Sequence, residues 1–315
     1  MEKLLLDMDP GVDDALALLY ALRSPDADVL GITTVAGNAP LEMTTRNALR
    51  VLEARGVTHI PVAPGAARPL IRDFQPALRV HGNDGLGESN LSMPSKLAAL
   101  KAPAVEFIAD VVQEQGPGTV TLIATGPLTN VAAAFLAIPD LASSLKRLVI
   151  MGGAFGVTPY GDGNVTPVSE FNIWVDPEAA DIVLRSGAQM SFVGLDVTTD
   201  PEGVLDPKAY ERLRGASSLT AGLAARSAAF GMERRGRVQL YDPLAVAVAL
   251  DPTLVRLHSY PVEVCLGDGS VRGQTIADRR LQPAPSSTKA VPVDVCVGVD
   301  GKRWLELFVS RLSEA

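Results

Sequence analysis

The chain has 315 residues, of which 47% are hydrophobic and 20% charged, so it is long enough for an ample core. Its net charge of −8, without a basic stripe, excludes an extended nucleic-acid partner. The N-terminus turns acidic after three leucines, and no apolar run reaches the length of a membrane span. Cys265 and Cys296 lie in apolar runs typical of core residues. We therefore expect a cytoplasmic protein with no membrane partner.

Strand-like and helix-like patterns alternate along the chain. The predicted strands occupy residues 4–6, 29–35, 60–62, 120–124, 147–151, 190–195 and 291–297. The predicted helices occupy residues 13–21, 41–55, 102–115, 128–137, 176–186, 207–230, 243–250 and 304–312. This order predicts an α/β fold with an open, mainly parallel, Rossmann-like sheet and helices on both faces, as a single domain over residues 1–315.

Three other segments add to this outline. Residues 255–278 predict paired strands around the turn Asp268-Gly269. Residues 63–97 and 152–169 are rich in glycine and polar residues and follow predicted strands. We expect both to overhang the carboxyl edge of the sheet and to act as lids.

Four carboxylates, Asp7, Asp9, Asp13 and Asp14, crowd into eight residues near the N-terminus, and no basic residue lies within 4–22. Such charge requires either protonated carboxyl groups or a hard divalent cation. A lone aspartate is usually a cap or a turn residue, but an uncompensated group of four indicates a metal or catalytic site.

The local pattern favours the cation. Residues 4–6 predict a buried strand, so Asp7 and Asp9 lie at its carboxyl end and point to one face. Pro10-Gly11 turns the chain, and Asp13 and Asp14 open a helix, whose N-terminus suits acids. The carboxyl edge of a parallel sheet is where open α/β folds bind ligands.

Later polar residues are candidates for the same edge. Asn38, Glu170 and Asn172 follow or precede predicted elements, and each alone reads equally well as a turn or capping residue. Thr125 ends a predicted strand, so its carbonyl can face a metal. Asp242 precedes Pro243 and alone reads as a helix cap.

Six sequence blocks, taken together, resemble the inosine–uridine-preferring nucleoside hydrolases. The blocks follow the family order over nearly the whole chain, at residues 7–14, 33–38, 124–130, 151–153, 170–179 and 242–243. The resemblance implies an open α/β sheet, a tightly held Ca²⁺ and hydrolysis of the N-glycosidic bond of ribonucleosides to ribose and free base, in purine and pyrimidine nucleoside salvage. It also implies a homodimer or homotetramer.

The resemblance assigns the metal site residue by residue. It implies that Asp9, Asp14, Asp242 and the backbone carbonyl of Thr125 hold the calcium. Asp9 is also implied to be the general base that deprotonates the attacking water. Asp7 resembles a residue that does not bind the metal itself but orients the residues that do.

The sugar site is implied in the same way. Asp13 resembles the residue that binds the ribose 2′-hydroxyl, and Asn38 and Asn172 match other sugar-binding positions. Asn164 and Glu170 match the positions that hold the 5′-hydroxyl.

The base site departs from the family pattern. His81 matches a catalytic histidine on a mobile loop beside the base, although a histidine among glycines is as often simply exposed. Many relatives carry a leaving-group histidine immediately before the last calcium aspartate, where this chain has Tyr241. Tyr241 either donates a proton to the base or only packs beside it. Arginines at 234, 235 and 237 read as a solvated helix face or as a site for a phosphorylated substrate.

Two other functions fit parts of the pattern. A strand ending in Asp-x-Asp also begins the haloacid-dehalogenase-like Mg²⁺ phosphatases, although Pro10-Gly11 and the pair Asp13-Asp14 fit the hydrolase better. A nucleoside- or sugar-binding relative without turnover is the second alternative, and retention of Asp9, Asp14 and Asp242 argues against it.

Overall fold

The computed structural model describes residues 1–280 and 290–314. None of the helices within these ranges is long and apolar enough to cross a membrane. The strands are β1 (Glu2–Met8), β2 (Ala27–Thr34), β3 (Val62–Pro64), β4 (Val120–Ala124), β5 (Arg147–Met151), β6 (Met190–Val193), β7 (Val255–Val264), β8 (Thr275–Ala277) and β9 (Val291–Val299). The helices are α1 (Val12–Arg23), α2 (Leu41–Arg55), α3 (Leu78–His81), α4 (Ala104–Gln115), α5 (Thr129–Ala137), α6 (Leu141–Ser144), α7 (Phe171–Val175), α8 (Pro177–Leu184), α9 (Leu195–Thr198), α10 (Pro207–Gly215), α11 (Leu219–Arg235), α12 (Tyr241–Leu250) and α13 (Gly301–Ser313).

All nine strands belong to one sheet, in the order β3-β2-β1-β4-β5-β6-β9-β7-β8. The strands from β3 to β9 in this order pair in parallel, and β7 pairs antiparallel with β9 and β8. The sequence prediction of a mainly parallel α/β sheet is confirmed, as is the pairing predicted within residues 255–278.

The two faces of the sheet bury separate hydrophobic cores. Leu4, Leu6 and Met8 of β1 join one core, which includes residues of α1, α11, α12 and α13. Leu5 joins the other, which includes residues of α4, α5 and α8. Because successive strand residues point to opposite faces, a strand that is apolar at every position requires helices on both sides.

The carboxyl end of β1 lies at a topological switch point. From β1 the chain runs to β2 and β3 on one side, then returns to β4 on the other side of β1. The connections that follow β1 and β4 therefore run in opposite directions and open a crevice between the carboxyl ends of these two strands. Ligands bind at such crevices in open α/β sheets.

Some predicted boundaries shift for local reasons. The strand predicted at residues 60–62 lies at Val62–Pro64, because Val62 pairs with Ile32 of β2. The helix predicted at residues 207–230 is two helices, and the hydroxyl of Ser218 caps the second.

The start of α12 excludes the capping role that Asp242 suggests when taken alone. The helix begins at Tyr241, two residues earlier than a capping role for Asp242 requires. Asp242 lies inside the first turn, and α12 packs against α1. This packing brings Asp242 to the N-terminus of α1, where the clustered aspartates lie.

Candidate active site

Buried carboxylates gather at the carboxyl end of β1. Asp7, Asp9 and Asp14 are fully buried, and Asp242 is 2% exposed. Oxygen atoms of Asp13, Asp14 and Asp242 lie within 4.8 Å of one another. The N-termini of α1 and α12 meet here, and both helix dipoles favour negative charge.

Asp14 joins three strand ends through four hydrogen bonds. One carboxylate oxygen accepts from the backbone N–H of Asp9 at 3.3 Å and from the hydroxyl of Thr125 at 3.0 Å. The other accepts from the backbone N–H of Gly11 at 3.0 Å and from the side-chain amide of Asn38 at 3.1 Å. Because these donors follow β1, β2 and β4, the carboxylate is fixed by the sheet itself.

Asp9 is enclosed by backbone. Its Oδ2 accepts from the backbone N–H of Asn38 at 2.6 Å, while its Oδ1 is buried without a hydrogen-bond partner. A Cβ at Gly37 would lie 2.0 Å from Oδ2, and one at Gly126 would lie 2.9 Å from Oδ1. Each of the two neighbouring loops therefore needs a glycine at this position to pack against the carboxylate of Asp9.

The pKa values of the clustered carboxyl groups are raised, because burial and neighbouring negative charges disfavour the ionised form. Burial, and then Asp14, raises the pKa of Asp9 well above its usual range. Burial, and then Asp13, does the same for the pKa of Asp242. Burial raises the pKa of Asp13 and that of Asp14 to about 6. A cation among these groups would restore their charged forms.

The donor set fits a hard divalent cation. Asp9 and Asp13 each have a buried carboxylate oxygen without a hydrogen-bond donor, and oxygens are the ligands that such cations take. The carbonyl of Thr125 lies at the same site, where it accepts a hydrogen bond from Asn172 at 2.8 Å. Asp13 lies within the acidic group, as the clustered carboxylates of the sequence indicated, whereas the family resemblance implied for it a contact with the sugar.

Asp7 lies behind the cluster and is held by other residues. Its Oδ1 accepts from the hydroxyl of Thr33 at 2.6 Å and from the side-chain amide of Asn130 at 2.8 Å. Asn130 also donates to the carbonyl of Thr34 and accepts from the N–H of Ala66. Sequence reasoning quoted Asn130 within a family block but gave it no role.

The candidate sugar-binding residues line one cavity of about 600 Å³ next to the acids. Glu170 is buried, and its carboxylate accepts from the backbone N–H groups of Gly153, Asn172 and Ile173. It therefore caps α7 as well as facing the cavity, and burial raises its pKa to about 7. Asn164 reaches the same cavity from the exposed loop before α7.

His81 is not the exposed loop residue that its glycine-rich context suggests. It is the last residue of α3, is 7% exposed and lines the cavity. Its Nδ1 accepts from the backbone N–H of Val12 at 3.1 Å, so the neutral ring carries its proton on Nε2. Burial lowers the pKa of His81 to about 4.

Tyr241 lines the same cavity and is half-buried. Burial, and then Asp13, raises the pKa of Tyr241 above its usual value, so the phenol stays protonated at neutral pH. Arg79 and Gln239 also line the cavity, and no sequence pattern indicated them, whereas Arg235 is one of the arginines for which a site for a phosphorylated substrate was left open. Periodicity could not reveal the first two, because Arg79 lies in a helix of four residues and Gln239 lies outside the helices and strands.

The fold and the site define an α/β enzyme with an acidic crevice at the switch point of its sheet. The family described as inosine-uridine preferring nucleoside hydrolase matches residues 4–306. The chain belongs to this metal-dependent family and is a ribonucleoside hydrolase.

Individual proteins resemble the chain over almost its whole length. It is 34% identical to the inosine-uridine preferring nucleoside hydrolase of Leishmania major, over 98% of this chain and 97% of the relative. It is 39% identical to the pyrimidine-specific ribonucleoside hydrolase RihA of Escherichia fergusonii, with the same coverage. The solved structure of the plant nucleoside hydrolase PpNRh1 is 34% identical and superposes with a TM-score of 0.92, over 100% of this chain and 99% of that one.

These findings confirm the family and enzyme class predicted from the sequence, and they decide between the alternatives. The nucleoside hydrolase is supported over both alternatives, the haloacid-dehalogenase-like phosphatase and the binding protein without turnover.

Proposed function

We propose that the chain is a Ca²⁺-dependent ribonucleoside hydrolase in which Asp9, Asp14, Asp242 and the carbonyl of Thr125 hold the metal. The observation that carries the proposal is the buried, unpartnered Oδ1 of Asp9 beside a group of three close carboxylates. Calcium accepts six to eight oxygen ligands, which suits a site rich in carboxylates and carbonyls. When bound, the cation offsets their charge and acidifies a water molecule.

Asp9 acts as the general base. It takes one proton from the attacking water while the water oxygen bonds to the anomeric carbon and the C–N bond breaks. The electrons of the C–N bond leave with the nucleobase, which gains a proton. Positive charge develops on the ribose during this step, and the surrounding carboxylates stabilise it.

The remaining residues orient the nucleoside. Asp13 binds the 2′-hydroxyl, Asn38 and Asn172 bind the sugar, and Asn164 and Glu170 hold the 5′-hydroxyl. Asp7 acts indirectly by keeping the carboxyl end of β1 in place. The cavity that these side chains share with the acids supports this division of roles.

Tyr241 donates the proton that the departing base needs, and His81 is the second candidate. The phenol keeps its proton at neutral pH because burial raises its pKa. The lowered pKa of His81 makes its imidazolium form scarce, although its Nε2–H can still donate a hydrogen bond. We also propose a cytoplasmic location and a homodimer or homotetramer. The free thiols of Cys265 and Cys296 agree with that location.

The metal is tested on purified protein. We expect about one Ca²⁺ per chain by elemental analysis, loss of ribose release after chelation, and recovery on adding Ca²⁺. We also expect Ca²⁺ to raise the melting temperature of the stripped protein, because binding stabilises the folded state. A stripped protein that keeps full activity would overturn the calcium assignment without touching the hydrolase assignment.

A further inference from the structure

Gln239 stands on a rigid part of the cavity wall. Its neighbour Val238 exchanges two backbone hydrogen bonds with Leu205, at 2.9 and 3.0 Å. Val238 and Leu240 on either side are buried. The backbone at Gln239 is therefore fixed between two anchored residues, although no helix or strand contains it. A fixed backbone is what a residue needs to hold a ligand in one orientation.

The side chain of Gln239 has an unmet hydrogen-bonding requirement. Its Oε1 is buried but accepts no hydrogen bond, and the residue lines the cavity together with Tyr241 and Arg235. A buried carbonyl oxygen without a donor destabilises a protein, so such atoms usually have a partner. The cavity is where a ligand can supply one.

The position of Gln239 points to the nucleobase as that ligand. The proposed function assigns Glu170 and Asn172 to the sugar, whereas Gln239 lines the cavity two residues before Tyr241, the proposed proton donor to the leaving group. Arg235 in the same cavity offers only donors, which suit carbonyl or ring-nitrogen acceptors of a base. Oε1 offers only an acceptor, which suits an N–H donor.

We propose that Gln239 is a specificity-determining residue whose side-chain carbonyl accepts a hydrogen bond from an N–H group of the nucleobase. This proposal rests on the proposed function. The N–H belongs to a lactam, as in hypoxanthine and uracil, or to an exocyclic amine, as in adenine and cytosine. A base without either group leaves Oε1 unpaired and is a poorer substrate.

Two nucleoside series test the proposal by their kcat/KM values. The purine series is inosine, adenosine and purine riboside, and the pyrimidine series is uridine, cytidine and 2-oxopyrimidine riboside. The last member of each series lacks an N–H donor without adding bulk. The quantity compared is the preference for the lactam or amino base over that last member, in whichever series the wild type cleaves.

We expect Gln239→Met to lower this preference by about tenfold or more, because it removes the acceptor and keeps the length. Gln239→Glu keeps an acceptor and should keep the preference. Gln115→Met is the matched control, because Gln115 is half-buried like Gln239 but ends α4 and does not line the cavity, and it should leave the preference as in wild type. Whether the preference falls for the lactam base or for the amino base identifies the N–H group.

An unchanged preference in Gln239→Met, or an equal fall in Gln115→Met, would overturn the proposal while the hydrolase assignment stands. A fall in Gln239→Glu as large as in Gln239→Met would also overturn it, because an acceptor would then be insufficient. A wild-type protein that releases ribose from none of the six nucleosides would refute the proposed function itself, and the role of Gln239 with it.

Discussion

The two sides of the cavity are built in different ways. The acidic side consists of residues that follow β1, β2 and β4 and of Asp242 in the first turn of α12. Its carboxylates are buried except for the half-buried Asp13, and those of Asp9 and Asp14 accept hydrogen bonds from backbone N–H groups. A second group of lining residues, which we call the base side, consists of Gln75, Arg79, Arg235, Gln239 and Tyr241. These five residues are exposed or half-buried.

This difference corresponds to two tasks: the acidic side acts on the sugar of every substrate, and the base side interacts with the nucleobase. The acidic side must hold several like charges at fixed positions, and only strand ends and helix N-termini in a packed sheet can do so. The base side has to recognise one ring, and residues at helix ends and in connecting segments can change without disturbing the sheet. We therefore expect substitutions on the acidic side to slow every substrate, and those on the base side to affect substrates unequally.

The largest effect is expected for Asp9→Asn. The change keeps the size of the side chain but removes a general base and one negative charge from the metal site. We expect turnover to fall by about 10² to 10⁴-fold for every nucleoside, and also for nitrophenyl riboside. Steady-state kinetics together with the calcium content of the variant separate loss of the base from loss of the metal.

Asp26→Asn provides the control for this experiment. Asp26 is exposed and lies just before β2, at the amino edge of the sheet. Its replacement removes the same charge far from the site and should leave turnover unchanged. A calcium-loaded Asp9→Asn protein with wild-type turnover would show that another group accepts the proton.

The acidic side is also the part that the sequence predicted best. Asp9, Asp13 and Asp14 could be identified from the sequence because, together with Asp7, they form a group of four acids without a basic neighbour. Such a group has few structural explanations. Regular periodicity then places the strand before them and the helix after them. Asp242 is more distant in sequence, and only the packing of α12 on α1 brings it to the group.

The base side was predicted poorly for physical reasons. Gln239 lies in a connecting segment without periodicity, and its unpaired oxygen exists only in the folded chain. The glycine-rich context of His81 left open whether it is exposed or reaches a ligand; it is buried, and its ring accepts a hydrogen bond from the N–H of Val12. Such contacts join residues far apart in sequence, and composition carries no trace of them.

The next effect in size is expected for Tyr241→Phe, which keeps the ring and removes the hydroxyl. If the phenol donates a proton to the base, turnover of inosine should fall by about 10²-fold, the low end for acid catalysis. Nitrophenyl riboside, whose leaving group needs no proton, should be cleaved as by the wild type. Equal losses on the two substrates, or no loss on either, would assign Tyr241 to packing alone.

The smallest effect is expected for Arg235→Gln. The guanidinium of Arg235 lines the cavity and opposes the rise in the pKa of Asp13, but it is exposed and therefore screened by solvent. We expect KM for a good nucleoside substrate to rise by up to about fivefold, which matches the weak interactions of exposed charges. The change should shrink as salt is added, because salt screens exposed charges.

Arg237→Gln is the matched control, because Arg237 is equally exposed but does not line the cavity. Arg234 is less suitable, since its guanidinium stacks over the ring of Phe230 at 5.0 Å. If only Arg235→Gln raises KM, the base side acts through a specific contact. If both variants raise KM equally, the arginines act only through net charge, and the base side selects through Gln239 and Tyr241 alone.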